Sequence, residues 1–229
     1  MHALTRHQLV LLALLTVTWC LSWPAMKVGA SGYPPLAFRA ISMWLALPVL
    51  VAALAVMKVP LRIPRRHWPE LLVLAVFNMF IWHACIMLAV RHLSSGRTAI
   101  LGYTMPIFSA LVGARLFGAA LSPRAWTGVG AAACGVVLLL WHELTGLAGN
   151  PSYVGVVLVG AAAWALGTQL LRRTRLDVPT LTITFWMIAL TAVVLTALSL
   201  AFEPWPWPAP APAVQWAIAY SALLVFCFA

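Results

Sequence analysis

The side chains that could do chemistry in this sequence are polar and aromatic groups set inside long apolar runs. Trp19, Ser22, Trp23 and Met26 recur at i, i+3, i+4 and i+7, which places them on one stripe of a helix. Such a stripe is either bulk against lipid and neighbouring helices or the aromatic wall of a pocket. Asn78, Trp82 and His83 lie well inside another run, where a polar side chain facing lipid is costly. An interhelical hydrogen bond and a substrate contact both account for them. His83 also has a ring that titrates near neutral pH, so it is the candidate proton carrier among the residues present. Tyr103 sits between Gly102 and Thr104, just before Pro106, where a helix is locally weakened into a hinge, a pocket wall or a packed kink. Gln169 has no evident partner and could face a pocket or the inner interface.

Arg39 raises a different question. It falls a little over one turn into an apolar run that opens at Pro34-Pro35. A long side chain so near a helix end reaches the headgroups by snorkelling, which accounts for its tolerance. The other reading is that it gates the outer mouth or attracts an anionic group such as a carboxylate.

The elements that must position these groups are membrane helices. Of 229 residues, 64% are hydrophobic and only 8% charged, far short of what a water-facing surface needs. Mean hydropathy is +0.99. The net charge of +10 comes from short basic clusters between apolar runs, which is the pattern of membrane topology and not of a nucleic-acid-binding face. Cys20, Cys85, Cys134 and Cys227 all fall in apolar runs and are expected to be small buried side chains. Their spacing suits neither a metal site nor a disulfide framework, and no cofactor motif is present.

Apolar runs recur at 8–28, 34–57, 68–90, 98–117, 124–141, 152–171 and 179–202, and an eighth opens near Ala213. The first is too long for a signal-peptide core and is expected to stay with the fold. Lys and Arg are denser in the loops on the N-terminal side of the membrane, which predicts a cytoplasmic N-terminus. Glu70, Asp177, Glu143 and Glu203 lie at helix ends or in loops, so no carboxylate relay is visible among the residues present, and a proton-coupled cycle would need His83 or a residue of the missing segment. The Pro-rich "EPWPWPAPAPAVQW" reads as an extended connector with Trp205 and Trp207 at headgroup level. Gly128, Ala131, Ala132 and Gly135 predict close helix packing or a homodimer seam.

Internal similarity organises these runs. Laid without gaps over "WALGTQLLRRTRLDVPTLTITFWMIA", the stretch "WCLSWPAMKVGASGYPPLAFRAISMW" places Trp19 on Trp164, Lys27 on Arg172 and Pro34 on Pro179. Trp23 then falls on Thr168 and Arg39 on Thr184, so Trp164 and Thr168 are expected across the pocket from Trp19 and Trp23. Five helices separate the copies, so they cross the bilayer in opposite senses, as the repeats of secondary transporters do. The expected organisation is an all-α polytopic membrane protein. Residues 1–145 form a first five-helix repeat, and 152–229 begin a second, inverted one. About seven and a half spans are then present, with the remainder of the second repeat missing.

The stretches "TWCLSWPAMKVGASGYPPLAFRAISMW" and "GYTMPIFSALVGARLFGAALSPRAWTGVGAAACGVVLLL" resemble the EamA-type proteins of the drug/metabolite transporter superfamily. The likeness lies in a Trp and a terminal basic residue on helix one, a Pro and an Arg opening helix two, a central Pro in helix four and a glycine-bearing helix five. The resemblance implies ten helices in two inverted halves that move small metabolites, often amino acids, in or out of the cell. One departure stands out: Ala119 occupies the place where members commonly carry Glu before the "LSPR" turn.

Other classes of function fare worse. An intramembrane enzyme would need a nucleophile elbow, a zinc helix or paired carboxylates, and none is present. A channel would need a filter motif or a charged ring. A scaffold would not need Asn78, His83 and Gln169 inside its helices. The partners expected are therefore the lipid bilayer and a small-molecule substrate.

Overall fold

The computed structural model describes residues 5–145 and 151–228. Its elements are helices, and among the described residues there is no strand. They are α1 (Arg6–Gly32), α2 (Pro35–Val56), α3 (Arg65–Val90), α4 (Ser95–Phe117), α5 (Pro123–Thr145), α6 (Pro151–Leu171), α7 (Thr180–Phe202) and α8 (Pro212–Val225). Among the described residues, six helices (α1 to α4, α6 and α7) are long and apolar enough to cross a membrane, and α8 is apolar but shorter.

Local sequence accounts for the helix ends. Thr5 and Gln8 form a reciprocal capping box at the start of α1, and the helix then runs unbroken through Pro24. Pro residues open α2, α5, α6 and α8, where a missing N–H costs nothing. In α4 the helix lapses at Tyr103-Thr104 and restarts at Met105 with Pro106 in its first turn. That is the local weakening the sequence predicts. A π turn at Ala75–Phe80 interrupts α3 and carries Asn78, and another follows Tyr220 at Ser221–Val225 in α8.

Two buried clusters hold the helices together. One joins α1, α3, α6 and α8 through Trp23, Met26, Trp82, Ile86, Val157 and Ile218. The other joins α2, α3 and α7 through Met43, Leu71, Met79, Ile183, Met187 and Leu195. Trp164 packs against both.

The ties at the two ends of the α2–α7 pair are reciprocal. The Glu203 carboxylate, just past α7, accepts the backbone N–H groups of Leu36 (2.8 Å) and Ala37 (2.9 Å) at the start of α2. At the opposite end, the α2–α3 connection offers the Pro60 carbonyl to the Thr182 hydroxyl and the Leu61 carbonyl to the Trp186 indole, each at 2.7 Å. Glu70 accepts from the Thr174 hydroxyl and the Arg175 N–H, tying α3 to the α6–α7 connection.

Two expectations need correction. Cys20 and Cys134 are exposed, and Cys85 and Cys227 only partly covered. A cysteine inside an apolar helix is as free to face lipid as any small apolar side chain, so the run alone does not place it. Gly128, Ala131, Ala132 and Gly135 do not pack closely within this chain. They are exposed on α5, and a methyl group added at Gly128 or Gly135 would meet nothing within 4 Å. The side chain of Glu143 lies outside the described residues.

Candidate site: an aromatic cavity facing a buried arginine

The described helices surround a partly open cavity of about 180 Å³. Trp19, Ser22, Trp23 and Met26 line it from α1, and Trp82 and His83 from α3. Tyr103 belongs to the α4 break, Trp164 comes from α6, and Arg39 and Thr184 come from α2 and α7. The i, i+3, i+4, i+7 stripe of α1 is thus the face that meets the cavity. Trp19 is half-exposed even so, as is Tyr103.

The aromatic wall is continuous. Trp23 donates its indole N–H to the Tyr103 hydroxyl at 3.2 Å, with the rings edge-to-face at 5.9 Å. Trp23 meets Trp82 edge-to-face at 6.4 Å, and Trp82 meets Trp164 at 5.5 Å. Four helices are linked through these rings, in the offset geometries that aromatic quadrupoles favour. Gly102 makes room for them, since a Cβ there would lie 2.8 Å from the tip of Trp23.

Arg39 corrects the snorkelling account. It is only 1% exposed and ranks among the largest fully buried side chains. Its guanidinium carbon lies 5.3 Å from the Phe226 ring centre and 6.0 Å from that of Phe38. Nε, Nη1 and Nη2 all lack a hydrogen-bond partner among the described residues. The reason is enclosure. Every residue from Pro35 to Ala40 is buried, whereas further along α2 Met43, Ala46 and Leu47 are buried and Trp44, Leu45 and Val49 face outward. Depth in the membrane was compatible with snorkelling; packing on all sides of the first turns of α2 was not.

His83 is buried on the same wall. Its ring meets Phe226 edge-to-face at 5.4 Å, and its Nδ1 has no partner among the described residues. Asn78 and Thr168 stand apart from this group. Asn78 donates to the Thr168 hydroxyl at 3.2 Å across the α3–α6 contact, and neither residue lines the cavity. Gln169 likewise ties α6 to α4, donating to the Ser109 carbonyl (2.9 Å) and hydroxyl (2.8 Å).

Sequence reasoning missed one residue of this site and two ties at the ends of the helices that form it. Phe226, which lies under both Arg39 and His83, had no signal beyond its apolar character. Glu203 is read as a loop charge in sequence, yet it caps α2. Lys27 was matched only as a terminal basic residue, yet its ammonium donates to the Val90, Arg91 and Leu93 carbonyls, each at 2.9 Å, at the end of α3. Among the described residues, no group of three His, Cys, Asp or Glu side chains is placed to hold a metal ion.

This arrangement can be set beside known proteins. The transporter YoaV of Bacillus subtilis, named as uncharacterized, is 22% identical over 94% of this chain and 75% of its own length. Its fellow uncharacterized transporter YvbV is 26% identical over 95% of this chain and 68% of its own. The uncharacterized inner membrane transporter YedA of Escherichia coli K12 is 24% identical over 82% of this chain and 61% of its own length. A crystal structure overlays with a TM-score of 0.67 at 24% identity, covering 93% of this chain and 73% of that one, so the fold is shared. The profile of the EamA-like transporter family matches residues 8–141, more than half the chain and nearly all of α1 to α5. The chain belongs to the EamA-like transporter family.

Proposed function

We propose that this chain is a secondary transporter that exports small metabolites, amino acids among them, by alternating access around the aromatic cavity. In this reading it sits in the plasma (inner) membrane with a cytoplasmic N-terminus. Two inverted halves of a ten-helix arrangement rock about the cavity, α1 to α5 belonging to the first and α6 to α8 to the second. The observation that carries the reading is the convergence of repeat-matched residues. Trp19 and Trp164, and likewise Arg39 and Thr184, are paired by the internal similarity and line one cavity from different helices. A site at the interface of inverted repeats is where secondary transporters hold their cargo. The reciprocal ties at the two ends of the α2–α7 pair support the same two-fold relation.

The test is flux. The chain is expressed in cells loaded with labelled amino acids, and loss of label is compared with cells lacking it. Trp19→Ala and Trp164→Ala are each expected to slow efflux by about tenfold, the equivalent of roughly 1.4 kcal/mol of lost contact. Efflux equal to the unaltered chain in both variants would remove the paired-wall reading.

A further inference from the structure

We propose that the cavity is built for an anion: a small molecule with an apolar body and one carboxylate, which Arg39 anchors. The inference names a substrate class for the site above and rests on the transporter reading for the claim that its occupant is cargo. Four observations lead to it. The first is the state of Arg39, whose three nitrogens are buried and have no hydrogen-bond partner among the described residues. A guanidinium keeps its charge and offers a planar fork of donors that matches a carboxylate in two parallel bonds. The Phe226 ring, its centre 5.3 Å from the guanidinium carbon, offers the charge a cation–π contact but accepts none of its N–H donors in a hydrogen bond.

The second observation is that, among the described residues, no protein carboxylate is placed to serve. Glu203 is engaged with Leu36, Ala37 and Ser199, Glu70 with Thr174 and Arg175, and Asp177 is exposed in the α6–α7 connection. The described cavity wall holds one formal charge, and it is positive. An uncompensated buried charge is expensive, and an anionic occupant removes that cost where a neutral or cationic one does not. The third is His83, whose unpartnered Nδ1 is a second polar contact on the same wall. The fourth concerns the fold. The matched position in the second half is Thr184, and among the described residues Arg39 makes no hydrogen bond, its charge meeting only the Phe38 and Phe226 rings, so no polar partner within the described fold requires that charge. The remainder of the wall is aromatic and fits an apolar body. A cavity of about 180 Å³ is slightly larger than one of about 150 Å³ that takes up benzene.

The experiment is a charge series on the purified full chain in detergent, read by isothermal titration calorimetry. Phenylacetate is compared with phenylacetamide, its neutral isostere, and with phenethylamine, a cation. Arg39→Gln protein serves as the reference for partitioning into micelles. The expected result is that phenylacetate binds the unaltered chain at least about tenfold more tightly than phenylacetamide, the scale of one charge-assisted pair. Phenethylamine should not bind measurably, and Arg39→Gln should erase the difference between acid and amide. Equal affinity for acid and amide on the unaltered chain would overturn the proposal. So would no binding of phenylacetate, including a case in which chloride binds and phenylacetate does not. The charge series on the unaltered chain needs no variant to fold. Flux in proteoliposomes separates the two readings. Arg39-dependent phenylacetate binding without flux leaves the anion site and removes the transporter. Flux of an amide with no preference for the acid does the reverse.

Discussion

At the residue scale, the site is a chain of rings with one charge beside it, and its members differ in what they hold. Trp82 touches both Trp23 and Trp164, so Trp82→Ala removes two aromatic contacts from the middle of the wall. We expect it to cost about 3–5 kcal/mol, read as a fall in the melting temperature of the purified chain, with Trp82→Phe recovering most of the loss. Glycine sets a second limit. A Cβ at Gly167 would sit 2.6 Å from the backbone nitrogen of Asn78, whereas one at Gly102 meets only the ends of the Trp23 and Trp82 rings. Backbone cannot move aside as a ring tip can. Gly167→Ala should therefore destabilise by about 1–3 kcal/mol, and more than Gly102→Ala. Much of this wall was legible in advance, because Trp19, Trp23 and Trp164 stand at helical spacing and matching repeat positions. Asn78 and Thr168 were not separable from the cavity residues by sequence. They lie on the same helices as Trp82 and Trp164, and a π turn rotates the register of α3 at Asn78. A period of 3.6 cannot anticipate such a rotation.

At the element scale, helix ends are satisfied from far along the chain. The α2 terminus begins with Pro34 and Pro35, which supply no side-chain acceptor for the next two N–H groups. Glu203 provides it, adding negative charge at the positive end of the helix dipole. Glu203→Ala is expected to cost about 1–2 kcal/mol in thermal unfolding, and Glu203→Gln less, since an amide oxygen still accepts one bond. Lys27 does the complementary work at the end of α3, with a cation on three carbonyls. Lys27→Met should lower the melting temperature while Lys27→Arg largely preserves it. The helices themselves, their Pro starts and the α4 break were readable from local composition. The pairing of Glu203 with α2 was not, because a charge in a Pro-rich connector carries no address. The buried face of α2 was in principle readable from Leu36, Ala40, Met43 and Leu47. Arg39 lies on that stripe and in a first turn and a half buried on every side, and reading its depth without that enclosure produced the snorkelling expectation.

At the scale of the whole molecule, the fold matches a solved structure over nearly its full length. The orientation proposed from the basic loops can be checked with exposed positions in two connections, Arg62 and Ala209. With Cys20 and Cys134 replaced by serine, an impermeant thiol reagent should label Ala209→Cys in intact cells and Arg62→Cys only after permeabilisation. The reverse pattern would invert the topology. The contact between Gly167 and Asn78 has a mechanical consequence. Side chains usually separate two packed helices and let one slide along the other, but here backbone meets backbone and the Asn78–Thr168 bond sits beside it. We therefore expect relative motion of α3 and α6 to be a tilt about that point and not a slide, as of two levers on a fulcrum. Glu70 stands about 12 Å along α3 from Asn78 at 1.5 Å per residue. A tilt of about 10° moves that end by about 2 Å, enough to part the Glu70–Thr174 bond, while the fulcrum itself hardly shifts.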